Sequence, residues 1–329
     1  MKKYLFLIIA LCYAVVANAQ GSDQYSAILQ HSETTTFYTG SSAFKQAYAA
    51  AVDGDVIILS EGVFEPVTIE KSLKIYGAGF ERNTETNTAI TAFSGNLPVG
   101  NANIILDGFH MEGILIQGEI HFECQMKNSS LVKCYPTYIK FFKNIENVIV
   151  KQCRIWDSVL GNNMVAKNLL VANCYMRGNV REFSSESFIT VDHCFLTRYS
   201  NDTNARILLT NSFIGGGSSY SSTGIGQYSM VRSCILNNNG GFPNNTLSET
   251  YYRFNSIATL FADVESEDYS ETRTFELKDP DTYVGTDGTP IGPSGGFGWD
   301  KVPTKPSIKN LTTTVAESNL NVTYEAIVK

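Results

Sequence analysis

The sequence predicts an all-β fold: a right-handed parallel β-helix (solenoid) with an N-terminal capping helix and a short β-type C-terminal tail. Three observations predict it. A cysteine-centred motif recurs about every twenty residues. The positions flanking each copy form apolar columns, and no helical periodicity separates the copies.

The motif is an apolar run, a polar residue, Cys, then an apolar pair. It reads VIVKQCRI at 148–155, LLVANCYM at 169–176, ITVDHCFL at 189–196, ILLTNSFI at 207–214 and SMVRSCIL at 229–236. The aligned positions are Cys153, Cys174, Cys194, Ser212 and Cys234, spaced by 21, 20, 18 and 22 residues. SLVKCYP adds Cys134, and Ile104 to Phe109 is read as an earlier copy. Such spacing suits a coil of short strands and bends, each coil adding one rung about 4.8 Å along the axis. A leucine-rich repeat would need an intervening helix, and an all-β sandwich would need frequent hairpin signals. Neither pattern is present.

The columns give a register. Val150, Val171, Val191, Leu209 and Val231 stand three before each aligned position, and Ile155, Met176, Leu196, Ile214 and Leu236 two after it. Five residues separate these inward columns, so strand alternation must break once between them. The break is placed at Gln152, Asn173, His193, Asn211 and Ser233, where Asn and His tolerate left-handed backbone. The cysteines then point inward. An even set of six (Cys124, Cys134, Cys153, Cys174, Cys194, Cys234) in an exported chain fits a disulfide framework. The one-coil spacing fits a stack of buried thiols instead, and both readings stand.

The first nineteen residues read as a cleaved signal peptide: Lys2 and Lys3, an apolar core from Tyr4 to Val16, and Ala17-Asn18-Ala19. Cys12 follows Leu11, where a lipoprotein signal needs a small residue. The expectation is export to an extracellular, cell-surface or periplasmic location, with no transmembrane segment. Without Lys2 and Lys3 the chain carries 23 basic and 32 acidic side chains, a net charge of −9. That balance argues against nucleic acid as a partner. The organisation expected is signal peptide 1–19, N-terminal strand and capping helix 20–52, parallel β-helix 53–262, and closing extension 263–329.

Phe44, Ala47, Tyr48 and Ala51 share one helical face, with Ser41 or Ser42 as N-cap. Asp53-Gly54-Asp55-Val56-Ile57-Ile58-Leu59, Glu61-Gly62-Val63-Phe64 and Lys71-Ser72-Leu73-Lys74-Ile75-Tyr76-Gly77-Ala78-Gly79 follow. This opening resembles that of the pectin-lyase-like right-handed parallel β-helix superfamily. Gly285 to Gly292, with Gly295-Gly296, resembles the closing segment of exported Bacteroidetes β-helix proteins of unassigned activity. Pro306-Ser307-Ile308 and Leu320-Asn321-Val322 fit the tail such proteins carry. The resemblance implies fold and export but no single activity, since the superfamily includes lyases, hydrolases and epimerases.

Polysaccharide lyases on this scaffold generally pair a calcium cage of carboxylates with an Arg or Lys base. No stacked acidic column appears: Asp157, Glu182 and Asp192 lie at different offsets from their cysteines. No cofactor is expected, with calcium left open although no ligand column is seen, and no metal ligands are assigned. The outward column after each cysteine is more suggestive, running Tyr135, Arg154, Tyr175, Phe195, Phe213 and Ile235, with Trp156, Arg177 and Thr197 beyond it. Aromatic rings with arginine forks suit sugar rings. Trp156, Tyr175, Arg154 and Tyr199 are therefore the candidate glycan-binding residues, and Asp157, Arg177 and Arg198 the candidate acid/base groups. The competing reading is packing under a loop or the C-terminal tail. His193 is read as a bend residue, and His110 and His121 show no acidic or Cys partner at catalytic spacing. The functional expectation is an exported glycan-interacting binding or surface module. A polysaccharide lyase or related carbohydrate-active enzyme, and a structural or adhesive surface protein, are its rivals.

Overall fold

The computed structural model describes residues 25–82, 89–197, 205–215, 229–237, 247–248, 250–264, 266–304, 307–316 and 319–327. The signal-peptide segment lies outside them, as do Arg198 and Tyr199. The described chain forms a parallel β-solenoid of about eight turns. Each full coil runs through three sheets. The coil beginning at Ile145–Lys151 in the first sheet continues with Arg154–Ile155 in the second and Val159–Leu160 in the third. It returns to the first sheet at Ala166–Ala172, one rung on. The first sheet is widened at its N-terminal end by the antiparallel strands Ser26–His31 and Thr34–Thr39.

The register places the expected columns in the core. Val150, Val171, Val191, Leu209 and Val231 pair in succession and are buried. So are Ile155, Met176, Leu196, Ile214 and Leu236. Between them Gln152, Asn173, His193, Asn211 and Ser233 all take left-handed backbone, with φ of 54, 48, 49, 50 and 48°. That single residue reverses the alternation, so the following cysteine turns inward. The coil before Cys134 is a correction. Its bend is Gly113 (φ 72°) and Ile114 occupies the cysteine position, since Leu115 bridges Tyr135. Gly108 instead belongs to a second bend column with Asn128, Asn147 and Asn168. In that column each amide donates to the preceding coil: Asn128 to Asp107 at 2.8 Å, Asn147 to Asn128 at 3.1 Å, Asn168 to Asn147 at 3.0 Å.

All six cysteines are buried free thiols. The backbone N–H groups of Cys134 and Cys153 each donate to the next coil's Sγ at 3.4 Å. Ser212 fills its place in the stack with the same bond, accepting from the Cys194 N–H at 3.0 Å.

The capping helix spans Ala43–Ala50 and buries Ala43, Phe44 and Ala47 over the first coil. Phe44 meets Phe93 at 4.8 Å between ring centroids. Ser42 occupies the N-cap without making a cap hydrogen bond; its hydroxyl accepts from Gln46 instead, at 2.7 Å. The other end is satisfied by Lys71, whose ammonium donates to the carbonyls of Tyr48 and Ala51 at 2.7 Å each. A cation on the last carbonyls also complements the helix dipole.

Beyond the solenoid, residues 257–264 and 266–291 pack a layer against the second sheet, and from residue 285 to 304 the chain also runs back along the bend column. Asn211 accepts from the Thr286 N–H at 2.8 Å. His193 Nε2 meets Thr289 Oγ1 at 3.0 Å, and Gln152 donates to the Gly298 carbonyl at 2.8 Å. Lys133 pairs with Asp300 at 3.1 Å, and Glu112 accepts from the Thr304 N–H at 2.7 Å and its hydroxyl at 2.8 Å. The residues that turn the chain thus also hold its C-terminal strap. A separate antiparallel hairpin, Ser307–Ala316 with Asn319–Ile327, follows.

Candidate functional site

The outward column of the second sheet is covered. Tyr175, Phe195, Phe213 and Ile235 face away from the solenoid core but are fully or almost fully buried. They join Phe254, Ile257, Leu260, Phe261, Val264, Phe275, Leu277 and Ile291 in a second apolar core. Phe195 and Phe213 stack at 4.4 Å, and Phe261 lies 5.6 and 5.3 Å from their ring centroids. Tyr175 presents no face to solvent, and its hydroxyl donates to the Glu267 carbonyl at 2.9 Å. Burial pushes that phenol up to about 12.

Arg154 is likewise taken out of the candidate set. Its guanidinium lies between the rings of Tyr135 and Tyr269, 4.0 and 3.8 Å from their centroids. Glu81, almost completely buried, sits 3.5 Å from Arg154 and 2.5 Å from Lys301, and accepts from the Tyr269 hydroxyl at 2.9 Å. A buried carboxylate needs such partners. The cluster ties three distant parts of the chain together. Tyr175 and Arg154 looked like ligand groups because sequence alternation distinguishes inward from outward, not outward from exposed.

Trp156 and Arg177 do come together, at the corner between the second and third sheets, and Asp157 follows Trp156 directly in the chain. Equivalent positions in neighbouring coils bring the Arg177 guanidinium to 4.9 Å from the Trp156 ring centroid. Trp156 remains 43% exposed. Asp157 accepts from the Tyr138 hydroxyl at 2.6 Å and from the Ser158 hydroxyl at 2.8 Å. That hydrogen bond to the carboxylate pushes the Tyr138 phenol up to about 12, so the phenol stays protonated and donating.

The face extends along the third sheet through residues that sequence reasoning missed. The Lys140 ammonium lies 5.0 Å from the Tyr138 ring centroid and 2.7 Å from Glu119. Glu119 also meets His121 Nε2 at 2.6 Å. Burial would raise the Glu119 carboxyl, but the hydrogen bonds from His121 and Lys140 outweigh it and hold it below the usual range. The partner of His121 is two residues away in sequence, so its apparent isolation is corrected. His110 is corrected too: Nδ1 is 2.7 Å from Ser130 Oγ, and Nε2 is 3.5 Å from Glu112. The legible signal was the Glu at i±2, which a turn or strand puts on the same side of the chain.

The corner therefore presents an exposed indole with a stacked guanidinium, and from the adjacent Asp157 a chain of contacts runs through Tyr138, Lys140 and Glu119 along the third sheet. Such a face can stack on a pyranose ring and exchange hydrogen bonds with its hydroxyls. Among the described residues no three His, Cys, Asp or Glu side chains group as a metal site, and no helix is long and apolar enough to cross a membrane. The chain matches no protein-family model and no curated protein.

Proposed function

We propose that this chain is an exported glycan-binding module of the pectin-lyase-like right-handed β-helix type, acting outside the cytoplasm. Its glycan seat is the Trp156–Arg177–Asp157–Tyr138 corner. One observation carries the reading: Trp156 keeps an open ring beside Arg177 on a sheet whose outward Tyr175, Phe195 and Phe213 are buried. An exposed indole braced by arginine serves a ligand better than it serves packing. The acidic chain charge favours a neutral or mixed polysaccharide over a densely anionic one.

The test is oligosaccharide binding to the wild-type chain and to Trp156→Ala and Tyr138→Phe. Loss of binding in Trp156→Ala with unchanged thermal stability supports the seat. Binding that survives Trp156→Ala removes this corner as the seat, and no binding to any glycan leaves a structural or adhesive role.

A second reading, a carbohydrate-active enzyme, is favoured by the His121–Glu119 pair on the same face, since a carboxylate-oriented imidazole is a general base. Shortening of a bound polysaccharide, with new ends lost in His121→Gln, would replace the binding-only reading.

A further inference from the structure

The outer face of the first sheet carries a different kind of chemistry, away from the glycan corner. We propose that Ser130, His110 and Glu112 form a nucleophile–base–carboxylate triad that cleaves carboxylic esters. His110 and Ser130 are directly paired across adjacent strands, so both side chains leave the sheet on the same side, one rung apart. The Ser130 Oγ to His110 Nδ1 distance is 2.7 Å. Glu112, two residues along the same strand, stands 3.5 Å from His110 Nε2. Nε2 is buried without a hydrogen bond, so Glu112 acts through its charge: it favours the proton on Nε2, which leaves Nδ1 bare to take the serine proton.

The surroundings hold each group in its role. Glu112 is almost fully buried, yet it is fixed by the Thr304 N–H and hydroxyl and faces the Lys133 ammonium, so it stays ionised. The Tyr76 ring packs against the imidazole at 5.0 Å between centroids and limits its rotation. Ser130 and His110 are themselves partly exposed, so the nucleophile is reachable. On the side of Ser130 away from His110 the next rung offers Ile149, which pairs with Ser130 and is 39% exposed. Base, nucleophile and apolar seat thus lie in one row across three rungs. The row fits an ester with a short apolar acyl group resting on Ile149 and a polar alcohol half in solvent.

In the reaction, Ser130 Oγ bonds to the acyl carbon as its proton passes to His110 Nδ1. The ester C–O bond breaks, and the leaving alkoxide takes that proton. Water then attacks the Ser130 ester by the same route, releasing the carboxylic acid and restoring the hydroxyl. If the glycan reading holds, the natural ester would be an O-acyl group on a polysaccharide. The test does not depend on that reading.

A fluorophosphonate probe is applied to the folded chain and the adduct is located by peptide mass, alongside hydrolysis of p-nitrophenyl acetate. The expected result is one adduct, on Ser130, that is absent in Ser130→Ala and forms roughly 100-fold or more slowly in His110→Gln. Glu112 is a positioning residue. Glu112→Gln lowers kcat per probe-labelled Ser130 and moves the pH limb of kcat that the base sets, neither of which loss of structure alone would change, since unfolded copies do not label. No adduct on Ser130 of the wild-type chain, or labelling at an unchanged rate in His110→Gln, overturns the proposal. Glycan binding that fails while Ser130 still labels would overturn only the binding module.

Discussion

Asn173 and Gly295 lie 122 residues apart, and the Asn173 amide donates to the Gly295 carbonyl at 2.6 Å. The same amide donates to the Pro293 carbonyl at 2.9 Å, and its oxygen accepts from the Phe297 N–H at 3.3 Å. Asn173 also holds the left-handed bend of its coil, with φ 48°. One residue therefore does two jobs that glycine and alanine separate.

Asn173→Gly keeps the bend and loses the strap; Asn173→Ala loses both. Stranding the strap's buried groups costs about 1–3 kcal/mol. Alanine adds roughly 1–2 kcal/mol for the left-handed backbone. Urea unfolding should rank wild type above Asn173→Gly above Asn173→Ala. Limited proteolysis should nick both variants within residues 285–304. Equal stability of the two variants would show that the bend geometry contributes little.

The thiol stack gives a chemical prediction. Burial pushes Cys234 up to about 12 and Cys124 up to about 11, and raises Cys134, Cys153 and Cys174 well above the thiol range. At pH 8 a thiol near 12 is ionised in only about one molecule in ten thousand, and the thiolate is the reactive form. A thiol reagent should find none of the six until the chain is unfolded. Cys174→Ser should fold and unfold cooperatively with only a small loss of stability, because Ser212 already makes the stack's bonds, donating to the Thr210 carbonyl at 2.7 Å. A disulfide found between adjacent coils would contradict the stack.

Acid should loosen the strap. For Glu112, burial is outweighed by His110 beside it and by hydrogen bonds from Thr304; for Asp287, by the Thr289 N–H and hydroxyl and by His193. Both carboxyls are held below their usual values. A depressed folded pKa gives stability that is fully present above the unfolded value, near pH 4, and lost as pH falls through the folded one. The urea midpoint should hold steady from pH 7 to about 5 and fall below about 4. Glu112→Gln should start lower and show a shallower acid limb. An acid limb identical to wild type would remove Glu112 as an anchor.

The solenoid was legible because coil stacking repeats its demands: the Val150 column, the Gln152 to Ser233 bends and the cysteine stack each recur at one-coil spacing. The Asn128, Asn147 and Asn168 column recurs six residues before each cysteine and was equally readable, but it falls inside apolar strands and passes as a surface position. The covering of Tyr175 and Phe195 was not readable. It depends on residues 257–264 and 266–291, which carry no repeat and meet the solenoid only through tertiary contact. Arg154 shows the same limit, since its partners Glu81, Tyr269 and Lys301 share no sequence spacing with it. The contact of Arg177 with Trp156 was readable because it is itself a one-coil relation.

Trp156 and Trp299 are the chain's two tryptophans, and they report on different places. Trp299, partly buried, packs against Phe275 of the covering layer at 5.3 Å, while Trp156 is open on one side and faces Arg177 on the other. An exposed cation–π pair is worth about 0.5–1 kcal/mol, so Arg177→Ala should leave stability nearly unchanged. It should nevertheless raise acrylamide quenching, by opening the second indole face. Trp156→Phe should leave a single blue-shifted, weakly quenched emission from Trp299. If glycan rings stack on Trp156, saturating oligosaccharide should protect the wild-type indole from acrylamide and have no effect on Trp156→Phe. Protection that persists in Trp156→Phe would place the ligand beside Trp299 instead, and the corner would then owe its open indole to something other than sugar.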